Sequence, residues 1–448
     1  MKITIPKEVQ IIIDRLNSRG FEGYLVGGCV RDCIMNKTPH DWDVCTNASP
    51  DETESCFEDF KTVGVGKTHG TIGVVIRGKL YEITTYRVDG EYLDNRHPQS
   101  VSFTDKITSD LSRRDFTVNA MAYNESTGLV DPFGGRLDIE KKLIKCVGDP
   151  ATRFGEDSLR ILRGLRFASR FDFEIEKETS KAIRDYRSLL NNVARERVRE
   201  ELIGIICGKS AEKILTDYRE VIAEIIPELT PCFDFEQRTP HHCFDVYRHI
   251  ARSVGETESD PLLRLTMLLH DIGKPEACYT DPTGRRHFKG HPQISARIAE
   301  DILKRLRFSN AVISDCLKLI EYHDVRFKGS KPMVRRITGM IGEENTRRLF
   351  KIQYADTMAQ SDYLREQKLG DIKTAQAHLD EIIKNKECCS VKQLAVSGFD
   401  LKALGFPDGR LIGDILNDLF ENVVEDKLPN NKETLLNEAK KHKNNPSE

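Results

Sequence analysis

Gly27-Gly28-Cys29-Val30-Arg31-Asp32 and Asp41-Trp42-Asp43 stand close together near the start of the chain, and their residue types suit phosphate chemistry. The two glycines follow the apolar run Tyr24-Leu25-Val26. There the backbone can approach an anion, offer its amides as a concave nest and add the cation of Arg31. Asp41 and Asp43 alternate across one residue, so on a strand both carboxylates face one side. Two hard oxygen ligands beside a phosphate cradle make a Mg²⁺ site for phosphoryl or nucleotidyl transfer. Taken singly, a plain turn and a solvated edge are the ordinary alternatives. Gly66-Lys67-Thr68 mimics only the end of a Walker motif, so an ordinary P-loop ATPase is excluded.

Three further stretches extend this pattern. In Leu80-Tyr81-Glu82-Ile83-Thr84-Thr85 a carboxylate sits within a strand-like run. Glu82 is either a third carboxylate that orients metal or deprotonates the attacking hydroxyl, or an outward-facing strand residue. Arg113-Arg114-Asp115-Phe116-Thr117-Val118-Asn119-Ala120 gathers groups for bidentate phosphate contact and, in Asp115 and Asn119, for a ribose hydroxyl. A surface Arg–Asp pair at a helix start is its alternative. Phe154 to Arg166 reads as one helix with Asp157 and Arg160 at i, i+3. An aspartate accepts from a base amino group and an arginine donates to ring nitrogen or carbonyl positions, which together read a nucleobase edge. Arg163, Arg166 and Arg170 continue as a basic stripe, the usual form of a solvated face.

The elements that must hold these groups can be read coarsely. Gln10 to Leu16 predicts a helix, Ile72–Ile76 and Leu80–Thr85 predict strands, and Asp131 to Gly135 predicts a loop. Beyond Asp149-Pro150 helical periodicity takes over almost everywhere, including a charged helix from Arg365 to Lys386 and a frayed end at Lys440 to Pro446. The fold class is α+β: a small mixed α/β head, then a long helical neck, body and tail. With 448 residues several domains are expected. Their boundaries are drawn at 1–150, 151–225, 226–362 and 363–448. The net charge of −3 means that a nucleic-acid partner needs local basic patches. No signal-peptide core or membrane-length apolar run is present, and twelve scattered cysteines without a Cys-x-x-Cys pair suit a reducing cytoplasm.

As an ordered set, Gly27-Gly28-x-x-Arg31-Asp32, Asp41-x-Asp43, Arg113-Arg114-Asp115-Phe116-Thr117-x-Asn119-Ala120 and Glu156-Asp157-x-x-Arg160 resemble the class II nucleotidyltransferases. Within that class the set is similar to bacterial CCA-adding tRNA nucleotidyltransferases, through about the first 210 residues, as far as Arg195-Glu196-Arg197. This resemblance implies that Asp41 and Asp43 hold the catalytic Mg²⁺. It implies that Gly28, Arg31 and Arg114 contact the triphosphate and sugar. Asp157 and Arg160 then read CTP or ATP by Watson–Crick-like hydrogen bonds, with Arg163 and Arg166 assisting. The stretch Val88 to Phe103, with Arg96-His97-Pro98, is similar to the loop such enzymes use when switching to ATP, which argues against an enzyme adding only C.

A second constellation lies in the helical body. The apolar helix Leu262 to Leu269 ends in His270-Asp271, with His249, His291, His323-Asp324 and Asp356 elsewhere. A His-Asp pair ending a buried helix needs partners, and a metal provides them: Mn²⁺, Ni²⁺, Fe²⁺ or Zn²⁺ suits imidazole with carboxylate. A satisfied core histidine is the alternative for any one of them. The pattern resembles the HD-type phosphohydrolases, which implies His249, His270, Asp271 and Asp356 as ligands and His291 and His323 as those of a second ion. The likeness to the CCA-adding enzymes implies tRNA, CTP and ATP as partners; no membrane and no obligate protein partner are expected. The tail Gly398 to Leu416 is similar to the C-terminal region of the same enzymes, and Arg326 to Lys331 with Arg335-Arg336 are candidate phosphate contacts. The expected function is template-independent addition or repair of the tRNA 3′-CCA end, with HD-type phosphohydrolase activity attached. An A-only tRNA enzyme, a poly(A) polymerase, or a metal-dependent phosphohydrolase with a nucleotide-sensing head are the alternatives.

Overall fold

A computed structural model describes residues 3–64, 66–90, 100–407 and 409–444. The chain divides into two compact units, Met1–Pro227 and Glu228–Glu448. The expected head and neck therefore share the first unit, and the expected body and tail share the second.

The first unit is built on a seven-stranded sheet. Its strands are β1 (Gly23–Val26), β2 (Val44–Thr46), β3 (Lys61–Val63), β4 (Thr71–Ile76), β5 (Lys79–Thr85), β8 (Ala122–Asn124) and β9 (Gly128–Val130), in the order β3-β4-β5-β2-β1-β8-β9. Only β2 and β5 pair in parallel, with Val44 opposite Ile83. Helix α1 (Lys7–Ser18) buries Val9, Ile12, Ile13 and Leu16, a spacing that forms one apolar stripe. The short helix α2 (Gly28–Ile34) leaves the end of β1, and α3 (Pro50–Cys56) starts at a capping box in which Ser49 accepts from the Glu52 amide. Strands β6 (Arg87–Asp89) and β7 (Val101–Phe103) pair with each other, and Arg96-His97-Pro98 lie outside the described residues. After α4 (Ile107–Ser112) and α5 (Gly135–Glu140), whose first residue is the last of the expected loop, the rest of the first unit is helical apart from a two-residue ladder of β10 (Leu143–Ile144) with β11 (Glu174–Ile175).

The helix expected from Phe154 to Arg166 is two helices, α6 (Pro150–Glu156) and α7 (Arg160–Phe171), with Asp157 extended between them. The Leu159 amide donates to Asp157 Oδ1 at 3.1 Å, so the side chain stabilises the break. Helix α8 (Lys177–Asp185) follows, and α9 (Arg195–Ile206) lies against α7; α10 (Ala211–Asp217) and α11 (Arg219–Ile225) complete the unit.

The second unit is helical. Asp245 caps α12 (Val246–Glu256), and Asp260 caps α13 (Pro261–Leu269), each accepting an amide in the first turn. Short α14 (Lys274–Ala277) and a small hairpin of β12 (Tyr279–Thr280) with β13 (Arg286–His287) lead to α15 (His291–Arg305) and α16 (Asn310–Tyr322). Helix α13 packs on α12 and α16, and α18 (Glu343–Met358), reached through α17 (Lys331–Ile341), packs on all three. The expected charged helix is α19 (Arg365–Asn385), and α20 (Gly398–Ala403), α21 (Arg410–Val424) and α22 (Lys432–Asn444) close over Leu401, Ile415, Leu419 and Leu435. Among the described residues no helix is long and apolar enough to cross a membrane.

Candidate functional site

At the end of β1 the chain turns at Gly27, whose φ of +76° would strain any residue with a side chain. The first-turn amides of α2 that follow lack intrahelical partners by construction. Asp41 and Asp43, expected on a strand, instead occupy the irregular segment entering β2, with the Val26 amide donating to the Asp43 carbonyl at 3.1 Å. Strand β2 pairs antiparallel with β1, Leu25 opposite Val44. The parallel register of β2 and β5, extended by one residue, brings Glu82 beside Asp43. Asp43 is exposed, yet the cleft withholds part of its hydration. That desolvation pushes its carboxyl up, Arg114 opposes it, and the carboxylates of Glu82 and Asp41 add to it. Glu82 and Asp41 thus repel Asp43, a repulsion that a divalent cation held there would relieve.

A cleft of about 360 Å³ is lined by Gly27, Gly28, Arg31, Asp43, Arg114, Asp115, Asn119, Asp157, Arg160 and Arg163. It also takes in Arg113 and Phe167. Residues spread over about 140 positions of the sequence are thus gathered around one cleft. Asp41 and Glu82 adjoin Asp43 outside that lining. Arg166 does not reach it: its Nε lies 2.7 Å from Glu201 Oε2 on α9, because three residues beyond Arg163 the helix has turned by about 60°.

Each cation in the cleft is aimed by the protein. Arg31 donates to Asp32 Oδ1 through Nε and Nη2, and to Asn119 Oδ1 through Nη1, while its guanidinium lies 4.7 Å from the Phe171 ring centroid. Asp115 accepts from the Phe116 amide, from Asn119 Nδ2 and from Arg163 Nε and Nη2. Its burial raises the carboxyl pKa, but Arg163, Asn119 and the amide outweigh that and hold it at about 2. Asp110 on α4 is fully buried, grips Arg113 through Nε and Nη2, and lies 3.3 Å from Arg114 Nη2. Sequence reading passed over it, although its spacing of three and four residues before the two arginines is a helical pairing signal. Phe167 was missed because an aromatic in an amphipathic helix reads as core.

Breaking the Asp115–Arg163 pair has a calculable cost. Asp115→Ala leaves the partly buried Arg163 guanidinium without its nearest carboxylate and is expected to destabilise the protein by about 2 kcal/mol, read from denaturant melts at neutral pH. Because the folded carboxyl titrates near 2, below the ordinary value of about 3.9, the stabilisation is present above pH 4 and is lost as pH falls towards 2. The melting difference between the two proteins therefore shrinks in acid.

Comparison with known proteins agrees with this geometry. Residues 23–145 match the Poly A polymerase head domain, 172–233 the probable RNA and SrmB- binding site of polymerase A, and 291–439 the putative tRNA nucleotidyltransferase domain 2. The CCA-adding enzyme of Enterococcus faecalis is 32% identical over 99% of this chain and 98% of its own length. The chain belongs to the CCA-adding enzyme family. It is accordingly a nucleotidyltransferase. The CCA-adding enzyme of Bacillus stearothermophilus, solved with CTP, superposes over 98% of both chains with a TM-score of 0.71 at 25% identity. That of Thermotoga maritima, complexed with tRNA, shares the fold over 98% of this chain and 96% of its own, with a TM-score of 0.60 at 20% identity.

This CCA-adding family member carries a second polar centre in its helical unit. Four histidines from α12, the end of α13, α15 and the end of α16 converge on Asp271, joined by Asp356 of α18. His249 Nε2 is 3.2 Å from Asp271 Oδ2 and 3.0 Å from Asp356 Oδ1, and His270 Nε2 is 3.3 Å from Asp271 Oδ2. On the other carboxylate oxygen, His291 Nε2 lies at 3.2 Å and His323 Nε2 at 3.6 Å. The Nδ1 atoms of His270, His291 and His323 donate to the carbonyls of Met267, Phe288 and Ile320 at 2.8, 2.8 and 2.6 Å, which turns each Nε2 inward. His249 Nε2, His270 Nε2 and both Asp271 oxygens are buried without a well-formed hydrogen bond, even though Lys274 Nζ is 2.6 Å from Oδ2. Short distances with unsuitable angles mean that these atoms converge on points between them. Separations of 3.0–3.3 Å suit ligands sharing an ion with bonds of about 2.1 Å. Two such triads share Asp271: His249 with His270, and His291 with His323. Burial alone lowers the His270 pKa, but Asp271 and Asp356 overcome it and push it up to about 10.

Around this centre lies a cleft of about 380 Å³ whose rim carries Lys274, Arg285, Arg286, Lys289, Arg326 and Lys368. Gln237 and His242, which sequence reading passed over, meet Lys274 at 2.8 and 3.5 Å. Arg335 and Arg336, expected as phosphate contacts, are instead engaged by Glu387 and Asp426 and by Glu421 and Glu425.

Proposed function

We propose that this chain builds the whole tRNA 3′-CCA end at the head cleft, using CTP and ATP in turn. The observation that carries this reading is the juxtaposition of the Asp41, Asp43 and Glu82 carboxylates with the arginine-lined cleft that ends in Asp157 and Arg160. Asp41 and Asp43 would hold Mg²⁺, which when bound neutralises charge on the attacking and leaving oxygens of an in-line displacement. Glu82 stands beside Asp43 to orient that pair or to accept the proton of the tRNA 3′-hydroxyl. Gly27 and Gly28 admit the triphosphate to the backbone, and Arg31 and Arg114 balance its charge. Asp115 and Asn119 are oriented by Arg163 and Arg31, and with them bound the sugar edge. Asp157 accepts the exocyclic amine common to cytosine and adenine, and Arg160 donates to the ring positions beside it. Positioning and charge neutralisation are what the protein contributes.

The experiment uses tRNA ending before the CCA, after CC, and complete, each incubated with Mg²⁺ and labelled CTP or ATP and sequenced at the 3′ end. CCA addition that stops at completion is the expected result. A alone added to the CC end identifies an A-only enzyme, and an unbounded A tail a poly(A) polymerase. Membership of the CCA-adding family leaves no support for a head that only senses nucleotides. A tRNA substrate and twelve free thiols support the cytoplasm as the place of action.

A second reading concerns the helical unit: an HD-type, metal-dependent phosphohydrolase centred on Asp271. It rests on the buried, unsatisfied Nε2 and carboxylate atoms of two triads and on a cationic rim. His249, His270, Asp271 and Asp356 would hold one ion, and His291 and His323 with Asp271 a second. When bound, Mn²⁺, Ni²⁺, Fe²⁺ or Zn²⁺ supplies Lewis acidity. The rim cations attract and orient a phosphate ester.

A further inference from the structure

Helix α9 reaches two members of the recognition segment from behind the head cleft. Arg197 donates to Asp157 through Nη2 at 3.0 Å and Nη1 at 3.5 Å, and Glu201, one turn later, holds Arg166 at 2.7 Å. Neither Arg197 nor Glu201 lines the cleft. Arg197 also stands in the first turn of α9, where the helix dipole disfavours a cation, and Ala194 at the N-cap makes no side-chain cap. A residue that breaks a local preference for the sake of one long-range partner marks a constrained site. We infer that Arg197 is the positioning residue that sets base selectivity, by fixing the carboxylate of Asp157 as an acceptor facing the cleft. This rests on the reading of Asp157 and Arg160 as the base-recognition pair.

The chemistry follows from lone pairs. With Arg197 on both oxygens and the Leu159 amide on Oδ1, Asp157 cannot rotate, and remaining acceptor sites stay available to the cleft. Cytosine and adenine present an amino donor at the edge where uracil and guanine present a carbonyl oxygen. A fixed anionic acceptor therefore bonds the first two and repels the second two. Arg160 is held independently, by Glu156 and by the carbonyls of Arg153 and Arg113, so it does not take over this role. Freed from Arg197, Asp157 turns from the incoming base and the distinction weakens.

The test measures kcat/KM for all four nucleoside triphosphates on tRNA lacking CCA, in the full chain, for Arg197→Met, Arg197→Lys, Asp157→Ala and the Asp157→Ala/Arg197→Met double variant. Expected for Arg197→Met is at least a tenfold rise in the UTP:CTP and GTP:ATP ratios, as a recognition hydrogen bond is loosened. Arg197→Lys, which keeps the cation, returns part of the selectivity. The double variant matches Asp157→Ala, because Arg197 acts only through it. Equal loss for all four nucleotides in Arg197→Met, with both ratios unchanged, overturns the proposal. If Arg197→Met does not fold, Arg197→Gln carries the same comparison. Should Asp157→Ala itself leave the ratios unchanged, the base-recognition reading fails first; an effect of Asp157→Ala without one of Arg197→Met overturns this inference alone.

Discussion

Alanine at both Asp41 and Asp43 is expected to lower CTP and ATP incorporation by more than about 10³-fold while leaving the melting temperature unchanged or slightly raised. The size follows from removing groups that balance charge at the reacting phosphate, where a single such group is worth about 10²–10³ in rate. Stability is spared for a separate reason. Both residues are exposed, and Asp43 is already pushed up by desolvation and by Glu82 and Asp41, so its removal relieves repulsion. The two readouts, incorporation at the tRNA 3′ end and a thermal melt, are taken on the same preparations. Incorporation that survives the double substitution means that Mg²⁺ is held elsewhere. Of the single changes, Asp43→Ala should cost more, since Asp43 lines the cleft whereas the Asp41 side chain is 74% exposed and paired with His40.

At the second centre, Mn²⁺ at about 100 times its dissociation constant is expected to stabilise the wild-type protein by about 2.7 kcal/mol, and Asp271→Ala is expected to abolish that stabilisation. Asp271 is the side chain common to both triads, so its loss removes a ligand from each at once. The substitution also strips the partner from Lys274 and His270, a cost of about 3–5 kcal/mol in the metal-free protein. His270→Ala offers the milder comparison, leaving the His291–His323 side in place. Melts with and without Mn²⁺, together with metal content after dialysis, separate loss of binding from loss of fold. Metal uptake that persists in Asp271→Ala sinks the assignment. Nucleotide addition by the head should be unchanged in folded preparations of either variant, and metal-dependent release of phosphate from a phosphate ester should vanish.

Much of the head was legible in the sequence because its signals are local. A glycine pair after an apolar run, an Asp-x-Asp, and an Arg-Arg-Asp with Asn four residues on each need only a few neighbours to make chemical sense. The strands Thr71–Ile76 and Lys79–Thr85 likewise follow from local patterning. The break between α6 and α7 was not legible. Periodicity runs through Asp157, and the partner that favours its extended form, Arg197, is forty residues away. Arg166 misleads for a similar reason: its place on α7 points it to Glu201, on another helix, and not to the cleft. In the helical unit His270-Asp271 announced itself at the end of an apolar helix. That His249, His291, His323 and Asp356 join it depends on how α12, α15, α16 and α18 cross α13, and a linear pattern carries no crossing angles.

By itself, then, the sequence determined the chemical inventory of the chain: carboxylates and arginines for nucleotidyl transfer in an α/β head, and imidazoles with carboxylates in a helical body. Those follow from residue type and short-range spacing. Tertiary structure decided which members of that inventory share a cleft, which arginines are neutralised before any nucleotide arrives, and how a single carboxylate, Asp271, comes to serve two triads. The physical reason is that Coulomb and hydrogen-bond energies depend on separations of a few ångströms. Residues a hundred positions apart acquire those separations only when the elements between them pack.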